Sequence, residues 1–360
     1  MIKLATVFSG IGAPEEALKQ LNKEFETVFA CDNGERELEL TYDEIIDQTK
    51  EMTYEQRLAF VNDLYTKTGK ENYVKKSYFA NHDIDENRWF EDVRFIDGTK
   101  YTGKVDILVG GSPCQSFSTY GKKLGLEDTR GTLFFYYAKL ISDIRPKVFV
   151  YENVPGLKTH DKGNTWKTIK EVFDSLDYDI YDSELNAQDY GLPQNRQRVF
   201  VVGFDRKFGI QEYDFPGTIE LKKKATDYLS KNVPLSYYLG VKGFEWVTQR
   251  EKHQGRSRTN REIIGCQTAN QQFNWTGDFR IETPTNEMWN DDRIYKCMYK
   301  GEYKVARKLT PFECLRLMGF EDFIQAEGVN DNNLYRQSGN SIAVPVLKEL
   351  FKSIFNKLNI

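Results

Sequence analysis

One pattern recurs along this chain and limits its fold more than any other: a short, mostly apolar run that stops abruptly at glycine or at an acid. Residues 4–8 (Leu-Ala-Thr-Val-Phe) stop at Ser-Gly-Ile-Gly, Thr27-Val28-Phe29-Ala30-Cys31 stops at Asp32, and Asp106-Ile107-Leu108-Val109 stops at Gly110-Gly111. Val148-Phe149-Val150-Tyr151 then stops at Glu152, and Arg198-Val199-Phe200-Val201-Val202 at Gly203. Apolar runs without polar alternation are strands covered on both faces. Helix-favouring stretches such as Pro14 to Leu21, with proline suited to a first turn, separate them. The pattern therefore predicts an α/β fold, a parallel sheet wrapped by helices. Such sheets place ligands beyond the carboxyl ends of their strands, so the residues at which these runs stop are the candidates for chemistry.

Two segments break the rhythm. Residues 37–76 are charged and helix-favouring, with Leu58, Val61, Leu64 and Tyr65 at helical spacing, and read as an inserted helical excursion. Residues 204–306 are rich in Lys, Arg, Asn, Gln and aromatics, with shorter strand-like runs, and read as a second, smaller domain. The expected division is 1–203, 204–306, and a return to the first domain over 307–360. A length of 360 residues accommodates one large domain or two ordinary ones.

Composition excludes several classes. With 39% apolar and 14% aromatic residues the chain is globular, and no stretch approaches the ~20 apolar residues of a membrane helix. The N-terminus lacks a signal peptide's apolar region and cleavage site, so a soluble cytoplasmic protein away from membranes is expected. Cys31, Cys114, Cys266, Cys297 and Cys314 are odd in number and widely spaced, without Cys-x-x-Cys, and there are three histidines. That argues against a metal site or a disulfide framework. A net charge of −4 does not decide on nucleic acid, because binding depends on where positive charge lies.

Four constellations stand at the strand ends. Phe8-Ser9-Gly10-Ile11-Gly12 is a strand-to-helix turn, and Asp32, twenty positions after Gly12, suits ribose hydroxyls. A dinucleotide fingerprint would want glycine at position 15, where Glu15 stands; a negative side chain at a helix N-terminus also disfavours a pyrophosphate. A nucleoside without phosphate fits better, and a tight packing turn is the competing reading. Gly110-Gly111-Ser112-Pro113-Cys114-Gln115-Ser116-Phe117-Ser118 opens a loop that continues through Lys122, Lys123 and Arg130, a set able to hold phosphate. A single cysteine there is a nucleophile or a buried filler. Glu152-Asn153-Val154 puts a carboxyl at the sheet edge, either a proton donor in a dry cleft or a helix cap. Gln194-Asn195-Arg196-Gln197-Arg198 sets Arg196 and Arg198 on one face of an extended segment.

The order of these pieces carries the specificity. FSGIG, GGSPCQSFS, ENV and QNRQR, followed by a variable region, Arg307-Lys308-Leu309-Thr310-Pro311-Phe312-Glu313 and Gly339-Asn340-Ser341-Ile342, closely resemble the DNA cytosine-5 methyltransferases of bacterial or phage modification type, over nearly the whole chain. The resemblance implies a Rossmann-like S-adenosyl-L-methionine-dependent methyltransferase sheet with a smaller, mixed target-recognition domain at 204–306. It implies Cys114 as the nucleophile that adds to carbon 6 of a flipped cytosine, Glu152 as the proton donor at N3, Arg198 on O2, and Arg196 supporting the loop or a phosphate. Phe8, Gly10 and Gly12 would surround the cofactor, Asp32 its ribose, Asp92 the adenine edge, and Asn340 with Ser341 the methionine end. Gln115, Ser116, Ser118, Lys122 and Arg130 would close on DNA. Arg250, Lys252, Arg256, Arg258 and Arg261, with Gln267, Asn270, Gln271 and Gln272, would contact duplex DNA and read its sequence.

The partner implied is double-stranded DNA, met by a monomer, with a cognate restriction endonuclease as a functional partner only. Three other readings stay open at this level. A related class methylates transfer RNA with similar motifs, a regulatory paralogue would bind DNA without catalysis, and an NAD oxidoreductase would require the missing third glycine.

Overall fold

The computed structural model describes residues 1–113, 133–248, 258–270, 272 and 276–359. Its centre is a sheet of β1 (Ile2–Val7), β2 (Phe25–Cys31), β3 (Trp89–Phe90), β4 (Ile107–Gly110), β5 (Val148–Asn153), β6 (Tyr178–Asn186) and, after the short β7 (Gln194–Asn195), β8 (Gln197–Asp205). The order across the sheet is β3-β2-β1-β4-β5-β8-β6. β1 to β5 pair in parallel, as their apolar runs predict, but β8 runs antiparallel to both β5 and β6. The expectation of a uniformly parallel sheet is corrected there, and chain length explains why. Only residues 187–196 link β6 to β8, too few for the crossover of a dozen or more that a parallel neighbour needs.

Alternate residues of each strand serve opposite faces, as the pleat requires. Leu4, Val109, Val150 and Val202 enter one core beneath α1 (Ala13–Gln20), while Ala5, Leu108, Phe149, Tyr151 and Val201 enter the other with Tyr137 and Phe173. The inserted stretch forms α2 (Tyr42–Gln48), α3 (Tyr54–Lys67) and the first turn of α4 (Tyr73–Asn81). Thr41 with Glu44 and Thr53 with Gln56 close capping boxes at the starts of α2 and α3. Val61 and Tyr65 are the buried pair of the apolar stripe. α5 (Leu133–Ile144) and α6 (Asn164–Asp174) cover the second core.

Beyond β8, Ile210 and Tyr213 still pack in the first core, and the Tyr213 hydroxyl bonds Ser353. Residues 204–215 therefore lie on the large sheet, not in the smaller unit to which their composition assigned them. That unit comprises α7 (Val241–Thr248) and a sheet built from β9 (Arg258–Thr259), β11 (Asp278–Glu282), β12 (Cys297–Tyr299) and β13 (Glu302–Lys308), in the order β12-β13-β11-β9. β13 is one continuous strand through Lys308, so the expected boundary at 306 falls inside it. β10 (Ile264–Gly265) leaves this sheet and pairs with β7, joining the two regions. The chain returns through α8 (Pro311–Arg316), α9 (Asp331–Asn340) and α10 (Val344–Leu358), which packs on α1. Among the described residues no helix is long and apolar enough to cross a membrane.

Candidate active site

The ends of β4 and β5 lie side by side, Gly110 opposite Tyr151. The next residue, Gly111, presses on Glu152: a Cβ on Gly111 would stand 2.8 Å from the Glu152 carbonyl oxygen and 3.1 Å from Oε2. The second glycine of the pair is thus needed so that the strand can pass this carboxyl. Ser112 is fixed next, its carbonyl accepting from Asn153 Nδ2 at 2.9 Å and its hydroxyl bonded to Tyr151 Oη at 2.9 Å. Asn153 also donates to Tyr151 Oη. The ENV segment therefore pins the start of the loop that carries the cysteine. Cys114, Gln115, Ser116, Ser118, Lys122, Lys123 and Arg130 lie outside the described residues.

Glu152 sits within β5, not after it, because its antiparallel partner β8 continues the ladder through Glu152 opposite Phe200. Its side chain is mostly buried, and Arg198 Nε approaches Oε1 at 3.1 Å. Burial raises the Glu152 pKa above the ordinary carboxyl value, with Arg198 and then Arg196 opposing it. The result is a carboxyl harder to ionise than a free one, next to a guanidinium that partly offsets the effect.

Arg196 and Arg198 do face the same side, both approaching Cys266 Sγ, at 3.5 and 3.8 Å. Their surroundings differ. Arg196 is buried and donates to the carbonyls of Gln267 (2.7 Å), Gly339 (3.0 Å) and Ser341 (2.7 Å). Burial, then the neighbouring Arg198, lowers its pKa to about 10. The option of a phosphate contact is thereby corrected: the guanidinium is engaged by three backbone carbonyls on two separate segments, 267 and 339–341. Gln194 acts alongside it, donating to Leu317 O at 2.7 Å and accepting from Gln267 N at 3.0 Å.

At the end of β1, Phe8, Gly10 and Gly12 all take positive φ. Gly10 N donates to Asp32 Oδ2 at 2.9 Å and Gly34 N to Oδ1 at 2.8 Å, so Asp32 braces the turn from the end of β2. Burial raises the Asp32 pKa against these two backbone bonds. A Cβ on Gly10 would meet nothing within 4 Å, whereas one on Gly12 would strike the His82 ring. Gly10 therefore borders open space, and Gly12 is required by packing instead of by approach to a ligand. Glu15 is also unlike its sequence reading. It turns inward, fully buried, and accepts from Tyr78 Oη (2.7 Å) and Thr6 Oγ1 (3.1 Å), with burial raising its pKa.

Asp92 is buried, and its oxygens already accept from Arg94 N, Nε and Nη2 and from Tyr65 Oη at 2.9 Å. A carboxylate offers about four acceptor sites, so an adenine amine would have to displace one donor. Arg94, the more exposed, is the one able to leave. Asn340 Nδ2 donates to Glu35 Oε1 at 2.7 Å, while the Ser341 side chain is buried beside Ile342 O.

A model of the C-5 cytosine-specific DNA methylases matches residues 2–356 of this chain. The chain belongs to that family. It is similar to the type II methyltransferase M1.ScrFI of Lactococcus lactis subsp. cremoris, 38% identical over 295 residues, which cover 80% of this chain and 71% of the relative. M.HpaII of Haemophilus parainfluenzae is 37% identical over 275 residues, 71% and 73% of the two chains. Among solved structures, a DNMT2 mutant of Spodoptera frugiperda shares the fold, with a TM-score of 0.68 at 17% identity over 99% of this chain and 100% of the other. The protein is a DNA (cytosine-5-)-methyltransferase.

In this methyltransferase, the residues expected to read DNA divide sharply. Arg250, Lys252, Arg256 and Gln271 lie outside the described residues. Arg258 turns inward: its Nε lies 3.5 Å from the buried Asp278, and its guanidinium covers Gly265, where a Cβ would collide with it. Its expected role in DNA contact is corrected, because Asp278 and the Thr276 carbonyl hold it inside the domain. Gln267 is buried and donates to Cys314 O at 3.2 Å, so it joins the seam and reads no base. Gln272 is buried too, while Arg261 and Asn270 are exposed.

Gln194 and the Arg307–Glu313 pair escaped the sequence reading as functional groups. Arg307, 1% exposed, spans Glu313 with two bonds of 2.8 and 3.1 Å and reaches Glu282 at 2.9 Å. The available signal was Thr310 three residues before Glu313, a capping box that the structure forms.

Proposed function

We propose that this methyltransferase uses S-adenosyl-L-methionine to methylate carbon 5 of a cytosine flipped out of a specific duplex sequence, through a covalent bond from Cys114 to carbon 6. The observation that carries the reading is Glu152, mostly buried, paired with Arg198 against the glycine that begins the cysteine loop and raised in pKa.

The residues present fit the cofactor. The open side of Gly10 lies beside Asp32, whose carboxylate suits a ribose diol. Phe8, Gly10 and Asp32 would hold the nucleoside, and Asn340 with Ser341 the amino-acid end. When bound, the group supplies an electrophilic methyl.

Carbon 5 of cytosine is too poor a nucleophile while the ring is aromatic. Addition of the Cys114 thiolate to carbon 6 removes that obstacle, and protonated Glu152, donating to N3, balances the charge that builds in the ring. Arg198 holds O2 and keeps the base in register with Glu152. Arg196, by tying 267, 339 and 341 together, supports this cleft without touching the base. After carbon 5 gains the methyl and loses its proton, the thiolate is expelled and the ring restored. A base within a duplex presents neither face of the C5–C6 bond, so it must leave the stack, at a cost of a few kcal/mol. We further infer a modification enzyme, a cytoplasmic monomer, whose functional partner is a cognate restriction endonuclease; the type II designation of its relatives supports the modification role.

Incubation with methyl-labelled cofactor and either duplex DNA or transfer RNA tests the substrate; label is expected in DNA, and label in RNA alone overturns the reading. Cys114→Ala should abolish turnover while DNA binding persists in a mobility shift, and undiminished turnover would remove Cys114 from the mechanism. Bisulfite sequencing of DNA from expressing cells then gives the target sequence.

A further inference from the structure

The 37–76 insertion has no part in the chemistry above, yet it reaches both acids placed around the cofactor. From α3, Tyr65 Oη donates to Asp92 Oδ2 at 2.9 Å, and Tyr65 is 2% exposed. At the start of α4, Asn72 Nδ2 donates to the Asp32 carbonyl at 2.8 Å and to Glu91 Oε2 at 2.9 Å. Arg36 pairs with Glu91 and lies over the Tyr65 ring at 4.8 Å, while Lys75 adds a second cation to Glu91 at 3.7 Å. On its other side α4 holds Gln337 of α9, through Ser77 Oγ at 2.8 Å and the Tyr73 carbonyl at 2.9 Å, three residues before Asn340.

The sheet alone cannot supply this bracing. β3, which delivers Glu91 and Asp92, is two residues long and pairs with β2 only at Ala30 and Cys31. So short an edge strand is a weak anchor for a residue that must keep a set distance from Asp32.

We propose that the insertion is the outer wall of the cofactor pocket, and that Tyr65 and Asn72 are positioning residues fixing Asp92 and Asp32 relative to each other. This rests on the assignment of the cofactor to the Gly10–Asp32 turn. Tyr65 removes one acceptor direction from Asp92 and leaves Arg94 as the exchangeable donor. Asn72 spans the ribose and adenine sides with one amide group. The wall acts on binding of the cofactor, not on the methyl-transfer step.

The test uses full-length enzyme and titration calorimetry with S-adenosyl-L-homocysteine and S-adenosyl-L-methionine. Tyr65→Phe keeps the ring against Arg36, and Asn72→Ser keeps an oxygen to cap α4 while losing both amide donations. The double variant is expected to bind both ligands about tenfold more weakly, as the loss of hydrogen bonds to two carboxylates and a carbonyl implies. KM for the cofactor should rise in parallel, with kcat and duplex DNA affinity within about twofold of the parent. Tyr65→Phe alone should show roughly a threefold loss, which keeps the test open if the double variant melts early. Lys67→Ala, on the exposed face of α3, should bind as the parent does. Asp32→Ala separates the two ideas. Weak binding in Asp32→Ala with unchanged binding in the Tyr65 and Asn72 variants overturns the wall. Unchanged binding in Asp32→Ala overturns the cofactor assignment, and the wall with it.

Discussion

Glu152 with Arg198 and Glu313 with Arg307 bring the same two chemical groups together in different surroundings. At Glu313 both carboxylate oxygens meet Arg307, and they also accept from Thr310 N at 2.7 Å and Ser230 N at 2.8 Å. Arg307 in turn reaches Glu282 and the Lys308 carbonyl. Glu152 has Arg198 as its one ion-pair partner among the described residues, and burial raises its pKa despite that cation. A saturated pair joins β13 to α8 and holds two regions together. An unsaturated pair keeps acceptor and donor capacity for a substrate, so the degree of satisfaction separates a structural rivet from the proposed reactive pair.

Replacing each glutamate by its amide tests that distinction, and the effects should be opposite. Glu152→Gln is expected to slow single-turnover methyl transfer about 10²–10⁴-fold, since it removes the proposed proton donor, and to leave thermal stability nearly intact. Glu313→Gln should cost about 3–5 kcal/mol in denaturant unfolding, because Arg307 stays buried without its full countercharge. Methyl transfer per folded molecule should survive in Glu313→Gln. Comparable destabilisation by both variants would erase the difference between the two pairs.

The pH dependence sharpens it. The native pKa of Glu152 is raised, so the folded state binds its proton more tightly than the unfolded state does. The stability this group contributes is present below its unfolded pKa and is lost as pH rises through the folded one. Turnover limited by the N3 proton should fall over the same rise. A pH–rate profile for Glu152→Gln should lack that alkaline limb, and a profile unchanged from the parent would assign the limb to another group.

The strand ends were legible because their physics is local. Apolar runs stopping at Asp32, Gly110 and Glu152 reported the sheet and the edge along which the candidate site lies. The antiparallel β8 was less so, since its apolar run reads like its neighbours and only the length of the 187–196 link betrays its direction. β6 went unread because its middle, Asp179 to Glu184, is half-buried or exposed at the sheet edge and carries no apolar run. Gly12 and Glu15 looked like ligand-turn residues, and the structure explains them by His82, just after α4, and Tyr78, within it, both far along the chain. Sequence spacing carries no trace of such contacts. The same holds for Arg196, whose three carbonyl partners lie 71, 143 and 145 residues further on.

Arg258 and Arg261 give the smallest and most discriminating contrast, because in sequence they are two members of one basic run. In space, Arg258 is held by the buried Asp278, whereas Arg261 is exposed on the same segment. Arg258→Ala should therefore cost stability, about 1–3 kcal/mol, by leaving the buried Asp278 without its ion-pair partner. Any loss of DNA affinity in it should track the unfolded fraction. Arg261→Ala should leave unfolding unchanged and weaken DNA binding. If Arg261 meets a phosphate, the loss is uniform across sequences and the salt slope of log K drops by about one. If it reads a base, the loss is confined to the target sequence, about 1–3 kcal/mol, with the salt slope kept. Mobility shifts at several salt concentrations, on target and non-target duplexes, separate these outcomes. An Arg258→Ala variant that is fully stable but blind to its target would return Arg258 to the recognition surface.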